Sequence, residues 1–252
     1  MRILLSNDDG IRAPGLQLLA VELRKLGELF ICAPDRVRSG ASSALTIAEP
    51  LLAECTGTDA WCVSGTPVDA VKLALRQLMK RPPDVVVSGI NNGLNTGSNV
   101  LYSGTVAAAL EGAQFGFTSF AVSRKFAEND DFRADAKLTA KIVARLAPGR
   151  LGRPTVYNIN LPPVKKPKGV LVTVTEMTPY DDQFDRRQDP RGRAYYWLRG
   201  TPPRVVARNG QATDDWAVAN GYVSVTPLRR DLTDLSQLDD LKRVFPESRR
   251  PR

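Results

Sequence analysis

Runs of apolar residues alternate with helical periods along the first two thirds of the chain. The segment RILLS, which begins at Arg2, is typical of a buried strand. Leu16, Leu19 and Leu23 follow it at helical spacing, and Pro14 is suited to the first turn of a helix. The pattern predicts a strand that is followed by a helix over residues 14–26.

The same alternation recurs as far as residue 161. It predicts strands at LFICAP, near LTIAEP, at WCVSG, DVVVSG, SFAVS and VYNINL. Helices are predicted between them over residues 66–79, 105–114 and 134–146. Strands that alternate with helices favour the α/β class, with a doubly wound, largely parallel sheet.

The last third of the chain has a different pattern. From Gly169 onward short strands replace the helices, at GVLVTVT, AYYWLRG and GYVSVTPL. We therefore predict a core over residues 1–168 and a β-rich C-terminal extension over residues 169–252, which together form one domain. Within the extension, residues 178–209 form an arm that carries Tyr195, Tyr196 and Trp197. Because these aromatic side chains need a partner surface, we expect a homodimer or homotetramer assembled through the arm.

The composition excludes several chemistries. The chain has 252 residues, a formal net charge of +8 and no histidine, which rules out Ser-His-Asp and Cys-His catalysis and His-rich metal sites. Three cysteines without CxxC spacing argue against disulfides and zinc. No apolar stretch is long enough for a membrane helix, and the N-terminal segment lacks the apolar run of a signal peptide. We expect a cytoplasmic protein.

Polar segments follow three of the predicted strands. NDDG comes after the first strand, a segment that ends in Ser39 and Gly40 after the second, and NNGLN after DVVVSG. Carboxyl ends of parallel strands meet at one edge of a sheet, where ligands collect. Asp8 and Asp9 are adjacent carboxylates that repel each other, and a divalent cation would relieve that repulsion. Oxygen and amide ligands favour Mg²⁺ or Mn²⁺ over zinc.

Ser103, Gly104 and Thr105 open an Ala-rich helix just after these loops. A helix N-terminus presents free N–H groups and the positive end of the helix dipole, which suit a phosphate. Simpler explanations exist for each motif alone: NDDG as a plain turn, the Asn/Gly segment as a surface loop, and Ser103 and Thr105 as helix caps. A cation site beside an anion site indicates metal-assisted phosphoryl chemistry, and neither a GxxxxGK[ST] nor a GxGxxG motif is present.

Several long motifs together carry a family resemblance, which extends from Met1 to about Leu232. They are MRILLSNDDGIRAPGL, APDRVRSGASSALT, GTPVDAV, VVSGINNGLNTGSNVLYSGTVAAALEG, DPRGRAYYW and GYVSVTPL. In this order they resemble the SurE family, survival proteins that act as 5′-nucleotidases. The resemblance implies a Rossmann-like domain with a swapped C-terminal extension and oligomeric assembly. It also implies divalent-metal-dependent release of phosphate from nucleoside 5′-monophosphates, with 3′-nucleotides and short polyphosphate as further possible substrates.

The resemblance also implies roles for individual residues. The metal ligands would be Asp8, Asp9, Ser39 and Asn91. The phosphate would lie near Asn95, Ser103, Gly104 and Thr105, and the catalytic residues would be Asp8, Asp9 and Asn95. Either water or an aspartate remains open as the nucleophile. The chain departs from the family's Gly-Thr-Asp at Ala212, Thr213 and Asp214, so the resemblance assigns no role to that segment.

A nucleic-acid-binding protein is the alternative function. Tyr195, Tyr196 and Trp197 beside Arg191, Arg193 and Arg199 form a set of side chains that could stack bases and contact phosphates. Packing of these aromatics in a dimer explains them more simply. Chelator-sensitive release of phosphate from a nucleotide separates the enzyme from the binding protein.

Overall fold

The computed structural model describes residues 1–126, 131–146, 155–178, 181–201 and 210–245. Its strands are β1 (Arg2–Ser6), β2 (Glu28–Pro34), β3 (Ala53–Gly57), β4 (Ala60–Val63), β5 (Val85–Asn92), β6 (Thr118–Arg124), β7 (Val156–Leu161), β8 (Val170–Val172), β9 (Asp181–Gln188), β10 (Ala194–Thr201) and β11 (Val223–Leu228). Its α-helices are α1 (Pro14–Leu23), α2 (Pro67–Leu73), α3 (Gly104–Gln114), α4 (Arg133–Arg145), α5 (Asp214–Ala219) and α6 (Leu238–Val244).

A nine-stranded sheet in the order β3-β4-β2-β1-β5-β6-β7-β11-β8 organises the chain. Neighbouring strands from β4 to β7 are parallel, β3 and β11 run antiparallel to their partners β4 and β7, and β8 is parallel to β11. The predicted doubly wound, largely parallel α/β fold is confirmed. The strand order reverses between β1 and β5, and this switch point is where ligands bind in such sheets.

Alternating side chains of β1 face two separate layers of the core. Ile3 and Leu5 pack in one apolar cluster with residues of α1 and α4, such as Leu16. Leu4 packs on the opposite face with residues of α2 and α3, such as Val71. Both faces of a parallel sheet are covered in this way, which explains the continuous apolar run of the first strand.

The prediction of a strand near LTIAEP is wrong. Residues 44–52 are irregular, and the edge strand of the sheet is β3 instead. The backbone N–H of Thr46 is bonded to the Asp69 carboxylate, at 3.1 Å from Oδ1, so it takes no part in a strand ladder. Pro50 has no N–H to donate. Both features keep this segment out of the sheet.

The C-terminal third contains helices that the sequence pattern did not indicate, namely α5 and α6. The predicted strands GVLVTVT, AYYWLRG and GYVSVTPL are present as β8, β10 and β11. Strands β8 and β11 belong to the main sheet, whereas β9 and β10 form a separate two-stranded hairpin. The arm's residues 179–180 and 202–209 and the extension's residues 246–252 lie outside the described residues, and the division at residue 168 stays a prediction.

Helix α2 begins at a capping box that also anchors the loop after β2. The Asp69 amide donates to the Thr66 hydroxyl at 3.1 Å, and the Thr66 amide donates to Asp69 Oδ2 at 2.9 Å. The Thr46 hydroxyl donates to the same Oδ2 at 2.6 Å. One carboxylate therefore fixes both the start of the helix and the loop that passes over it.

We expect Asp69→Ala to lower the free energy of unfolding by about 2 kcal/mol, because it removes the cap and leaves the Thr46 donors without a partner. Chemical denaturation monitored by circular dichroism measures this. Asp239→Ala is the matched control: that carboxylate is exposed on α6, and its loss should change the unfolding free energy by no more than about 0.5 kcal/mol. Equal effects of the two substitutions would contradict the prediction.

Candidate functional site at the carboxyl end of the sheet

The turn after β1 is closed by Asn7 and not by the two aspartates. Asn7 Oδ1 accepts from the Gly10 amide at 3.1 Å, and Asn7 Nδ2 donates to the Gly10 carbonyl at 3.0 Å. The plain-turn explanation therefore accounts for Asn7 and Gly10. It leaves the side chains of Asp8 and Asp9 available for another role.

Asp8 is buried against the start of α3. Its side chain accepts a hydrogen bond from the Thr105 hydroxyl at Oδ1, and the Thr105 amide also bonds to it. Gly104 permits this approach, because a Cβ at position 104 would lie 2.9 Å from the Asp8 Cβ. The carboxylate of Asp8 is thus the anion bound at this helix N-terminus in the structure.

The electrostatics of the pair match the repulsion expected from the sequence. Burial raises the pKa of Asp8 above its ordinary value, and the hydrogen bonds from Thr105 only partly offset this. Burial and, to a smaller extent, the negative charge of Asp8 raise the pKa of Asp9 to about 6. A hydrogen bond from the Asn92 amide lowers this pKa, but by less. Each carboxylate is costly to ionise here without a compensating cation.

Ser39 lies on the loop after β2, which is held against the aspartates by backbone contacts. The Arg38 amide donates to the Asp8 carbonyl at 2.7 Å, which places the exposed Ser39 one residue away. Further along, the Ser42 hydroxyl donates to the Leu101 carbonyl at 2.7 Å. The structure therefore brings the loops after β1 and β2 together with the segment that precedes α3.

Asn91 lies at the end of β5 and not in the loop predicted there. The strand continues to Asn92 because Asn91 and Asn92 pair with Ser123 and Arg124 of β6. Asn91 Nδ2 donates to the Gly93 carbonyl at 2.8 Å. This orients the amide and commits its N–H₂ end, so that Oδ1 is the end suited to a cation.

Asn95 is held by strands on the far side of β5 from the aspartates. Its amide donates to Asn160 Oδ1 at 2.9 Å, its carbonyl accepts from Asn158 Nδ2 at 2.7 Å, and its own Nδ2 donates to Ser123 Oγ at 2.7 Å. These contacts connect Asn95 to β6 and β7. They do not bring it into contact with Asp8 or Asp9.

Ser103 is the N-cap of α3. Its hydroxyl accepts from the Val106 amide at 3.1 Å, as the capping explanation predicts. Thr105, by contrast, directs its hydroxyl and its amide to Asp8. Capping therefore accounts for the Ser103 side chain but not for that of Thr105.

The donor set fits a hard divalent cation. Two carboxylates, one hydroxyl and one amide oxygen are available from Asp8, Asp9, Ser39 and Asn91, and all are oxygen donors. In the described ranges, no group of three or more His, Cys, Asp and Glu side chains could hold a metal ion. A site here depends on neutral oxygen ligands beside the aspartate pair. The raised pKa values of both aspartates are the feature that a cation would relieve.

The sequence analysis did not identify two groups of buried polar residues that lie near the site. Asn158 and Asn160 are buried on one face of β7, where the alternation in VYNINL was a usable signal. Asp214 is fully buried at the start of α5, and burial raises its pKa to about 6. The Thr-Asp-Asp before an apolar run is a helix N-terminus signature that could have predicted α5.

The fold and site define a class: α/β proteins with an acidic, oxygen-rich site at the switch point of a doubly wound sheet. The family model described as Survival protein SurE matches residues 3–182, and the chain belongs to the SurE family. It is 45% identical over 250 residues to 5′-nucleotidase SurE of Pelotomaculum thermopropionicum, covering 97% of this chain and 95% of that one. It is 41% identical to 5′-nucleotidase SurE of Legionella pneumophila strain Lens, covering 98% of both. The crystal structure of the SurE protein from Aquifex aeolicus matches with a TM-score of 0.86 and 39% identity, covering 97% of this chain and 100% of that chain.

The raised pKa of Asp9 predicts a pH-dependent effect of Asp9→Asn in metal-free protein. The pKa of Asp9 is about 6 in the folded protein, against an ordinary value of 3.8. Between these two pH values the folded state binds more protons than the unfolded state, so the stability of the protein falls as the pH rises from about 4 to about 6. Asp9→Asn should therefore be more stable than wild type by about 1–2 kcal/mol at pH 7, with the difference vanishing below pH ~4. Urea denaturation with chelator present, from pH 3.5 to 7.5, measures the difference; a pH-independent one would contradict the assignment.

Proposed function

We propose that this chain is a 5′-nucleotidase: a divalent-metal-dependent phosphomonoesterase that releases phosphate from nucleoside 5′-monophosphates. The observation that carries the proposal is the Asp8–Asp9 pair, held at the switch point with the pKa of both carboxyls raised. The names of the relatives, 5′-nucleotidase SurE, supply the substrate class.

The cation would be held by Asp8, Asp9, Ser39 and Asn91. These residues lie at the ends of β1 and β5 and on the loop after β2, and contacts between their chain segments support the grouping. Oxygen ligands suit Mg²⁺ or Mn²⁺. When bound, such a cation supplies Lewis-acid activation of the phosphate ester and its attacking water.

The two aspartates take different parts in the proposed reaction. Asp8 is fixed by Thr105 through two hydrogen bonds, which restrict its orientation. Asp9 is only half-buried and its pKa is raised to about 6. Of the two aspartates, Asp9 is therefore the one with access to solvent, and it would accept the proton of a water molecule that attacks phosphorus.

The phosphate side of the site would be formed by Asn95 and the first turn of α3. Gly104 and the Ser103 backbone belong to a helix N-terminus, which favours an anion. Asn95 Nδ2 bonds Ser123 in the structure. A half-turn of this amide lets the Ser123 hydroxyl donate to Oδ1 instead, which releases Nδ2 for a phosphate oxygen. Asn95 and the backbone of Ser103 and Gly104 would stabilise the charge on the equatorial oxygens. Thr105, whose hydroxyl and amide both bond to Asp8, would contribute by holding that carboxylate beside the phosphate and not by a direct contact.

The alternative nucleic-acid-binding function is not supported. Arg193 Nε is paired with Asp189 Oδ2 at 2.8 Å, and Arg199 Nη1 with Asp185 Oδ1 at 3.1 Å. These carboxylates neutralise part of the basic patch on which that function depended. The relatives are named as nucleotidases.

The hairpin of β9 and β10 supports a proposed homodimer or homotetramer. Its Phe184, Tyr196, Trp197 and Leu198 are each about 60% exposed, and an isolated two-stranded hairpin is marginal in water. A second copy of the chain would cover these side chains. None of the helices in the described part of the chain has the length and apolar character that a membrane crossing requires. The cytoplasmic location stays a prediction.

We expect Asp8→Asn and Asp9→Asn each to reduce phosphate release from nucleoside monophosphates by ~100-fold or more, because a cation ligand or base is lost. Ser39→Ala should have a smaller effect, since a neutral hydroxyl contributes little charge. A phosphate-release assay with Mg²⁺, Mn²⁺ or chelator measures this. Glu54→Gln is the control, because Glu54 is exposed on the edge strand β3, and it should stay near wild type. Chelator-insensitive turnover would refute the proposal.

We expect joint replacement of Tyr195, Tyr196 and Trp197 by Ser to shift the protein toward monomer. Each ring can bury roughly 150–250 Å², worth several kcal/mol in total at ~25 cal/mol per Å² before ordering costs. Sedimentation velocity at micromolar concentration, and the concentration dependence of Tm, measure the shift. Val21→Ser, an exposed apolar change on α1, should leave sedimentation unchanged. Sedimentation of the wild-type protein as a monomer at micromolar concentration would contradict the proposed assembly.

A further inference from the structure

Residues 95–97 are held from two sides. On one side, Asn158 and Asn160 of β7 bind the backbone of Asn95. On the other side, the next two residues, Thr96 and Gly97, are held by side chains at the start of α5. The proposed phosphate contact at Asn95 therefore lies between two anchors, and the second has no assigned role.

The carboxylate of Asp214 joins three backbone amides. Its Oδ2 accepts from the Gly97 amide at 3.1 Å, and its Oδ1 accepts from the amides of Glu176 at 2.9 Å and Asp215 at 3.0 Å. The residue is fully buried. Both oxygens are thus occupied by N–H donors. An Asn amide of the same shape cannot satisfy them, because its N–H₂ end would face a donor.

Asp215 holds the neighbouring residue. Its Oδ1 accepts from the hydroxyl of Thr96, itself 1% exposed, at 2.7 Å. Gly97 has a φ of +56°, which favours glycine. A Cβ at position 97 would lie 3.0 Å from the Glu176 carbonyl and 3.2 Å from Asp215 Oδ2. The close approach of Gly97 to this cluster is therefore part of the backbone conformation that follows Asn95.

We propose that Asp214 and Asp215 are positioning residues for the phosphate-binding side of the site. They fix the backbone of Thr96 and Gly97, and through it the place of Asn95 and of the segment that leads to α3. The inference rests on the proposed nucleotidase function, since it assigns Asn95 to the phosphate. It adds residues more than 100 positions away in the chain, on a helix with no contact to the aspartate pair among the described contacts.

Asp214→Asn is the sharpest test, because it keeps the size of the side chain and replaces one acceptor by a donor. We expect the Ki of inorganic phosphate and the KM of a nucleoside monophosphate to rise, with kcat/KM lower by ~10–100-fold. The Mn²⁺ Kd should stay within about twofold of wild type, because the proposed ligands lie elsewhere. Amide hydrogen exchange should quicken for residues 95–101 and not for β1 or β5.

A double-mutant cycle on Thr96 and Asp215 provides a second, milder test. Thr96→Val and Asp215→Ala each remove the same hydrogen bond, so their effects on the phosphate Ki should be non-additive. Thr96→Ser keeps the hydroxyl and should restore wild-type values. Asp234→Asn is the matched control, because Asp234 is an exposed helix cap whose carboxylate also accepts from a hydroxyl, that of Ser236, and it should leave the phosphate Ki unchanged.

The outcomes separate this inference from the proposed function. Wild type without metal-dependent phosphate release refutes the nucleotidase itself. An active wild type, with an unchanged phosphate Ki and kcat/KM in Asp214→Asn, overturns the positioning role alone. A parallel loss of Mn²⁺ affinity overturns it too, because it indicates general damage to the site. If Asp214→Asn does not fold, the Thr96→Val and Thr96→Ser pair decides, and equal Ki values for these two variants overturn the inference.

Discussion

The buried contact between Asp8 and the first turn of α3 is the constraint around which the site is arranged. Asp8 accepts from the hydroxyl and amide of Thr105, and its own carbonyl accepts from the Arg38 amide. One residue thus joins the end of β1, the loop after β2 and the start of a helix nearly 100 residues later. The contact requires a glycine at position 104, because a side chain there would displace the carboxylate.

Burial of an anion in this place costs free energy, and the hydrogen bonds from Thr105 offset only part of it. The neighbouring carboxylate of Asp9 adds repulsion, which raises its own pKa to about 6. The cation proposed for this pair would relieve the repulsion and so increase the stability of the folded state. The repulsion between the two carboxylates would therefore contribute to the affinity for that cation.

The repeating pattern of strands and helices could be predicted because each element has a local signal: apolar runs, helical spacing and capping residues. The same local signals identified Asp8 and Asp9, since adjacent carboxylates after a buried strand are unusual in themselves. What could not be predicted depends on distant contacts. The segment near LTIAEP is kept out of the sheet by Asp69 of α2, and Asn91 extends β5 because β6 lies beside it. Neither partner is visible in the local pattern.

The segment that departs from the family pattern shows how little a local departure can mean. Ala212 stands where the family more often has glycine, yet its contact is made by its carbonyl, which accepts from the Val174 amide at 3.1 Å. Its φ is not positive, unlike that of Ser42 or Asp59, so an alanine is tolerated without strain. The side chains that bond to Thr96 and Gly97 belong to Asp215 and Asp214, which follow Ala212 in the chain. The alanine therefore leaves these hydrogen bonds intact, and the positioning role proposed for the segment rests on the two carboxylates and not on the residue that differs.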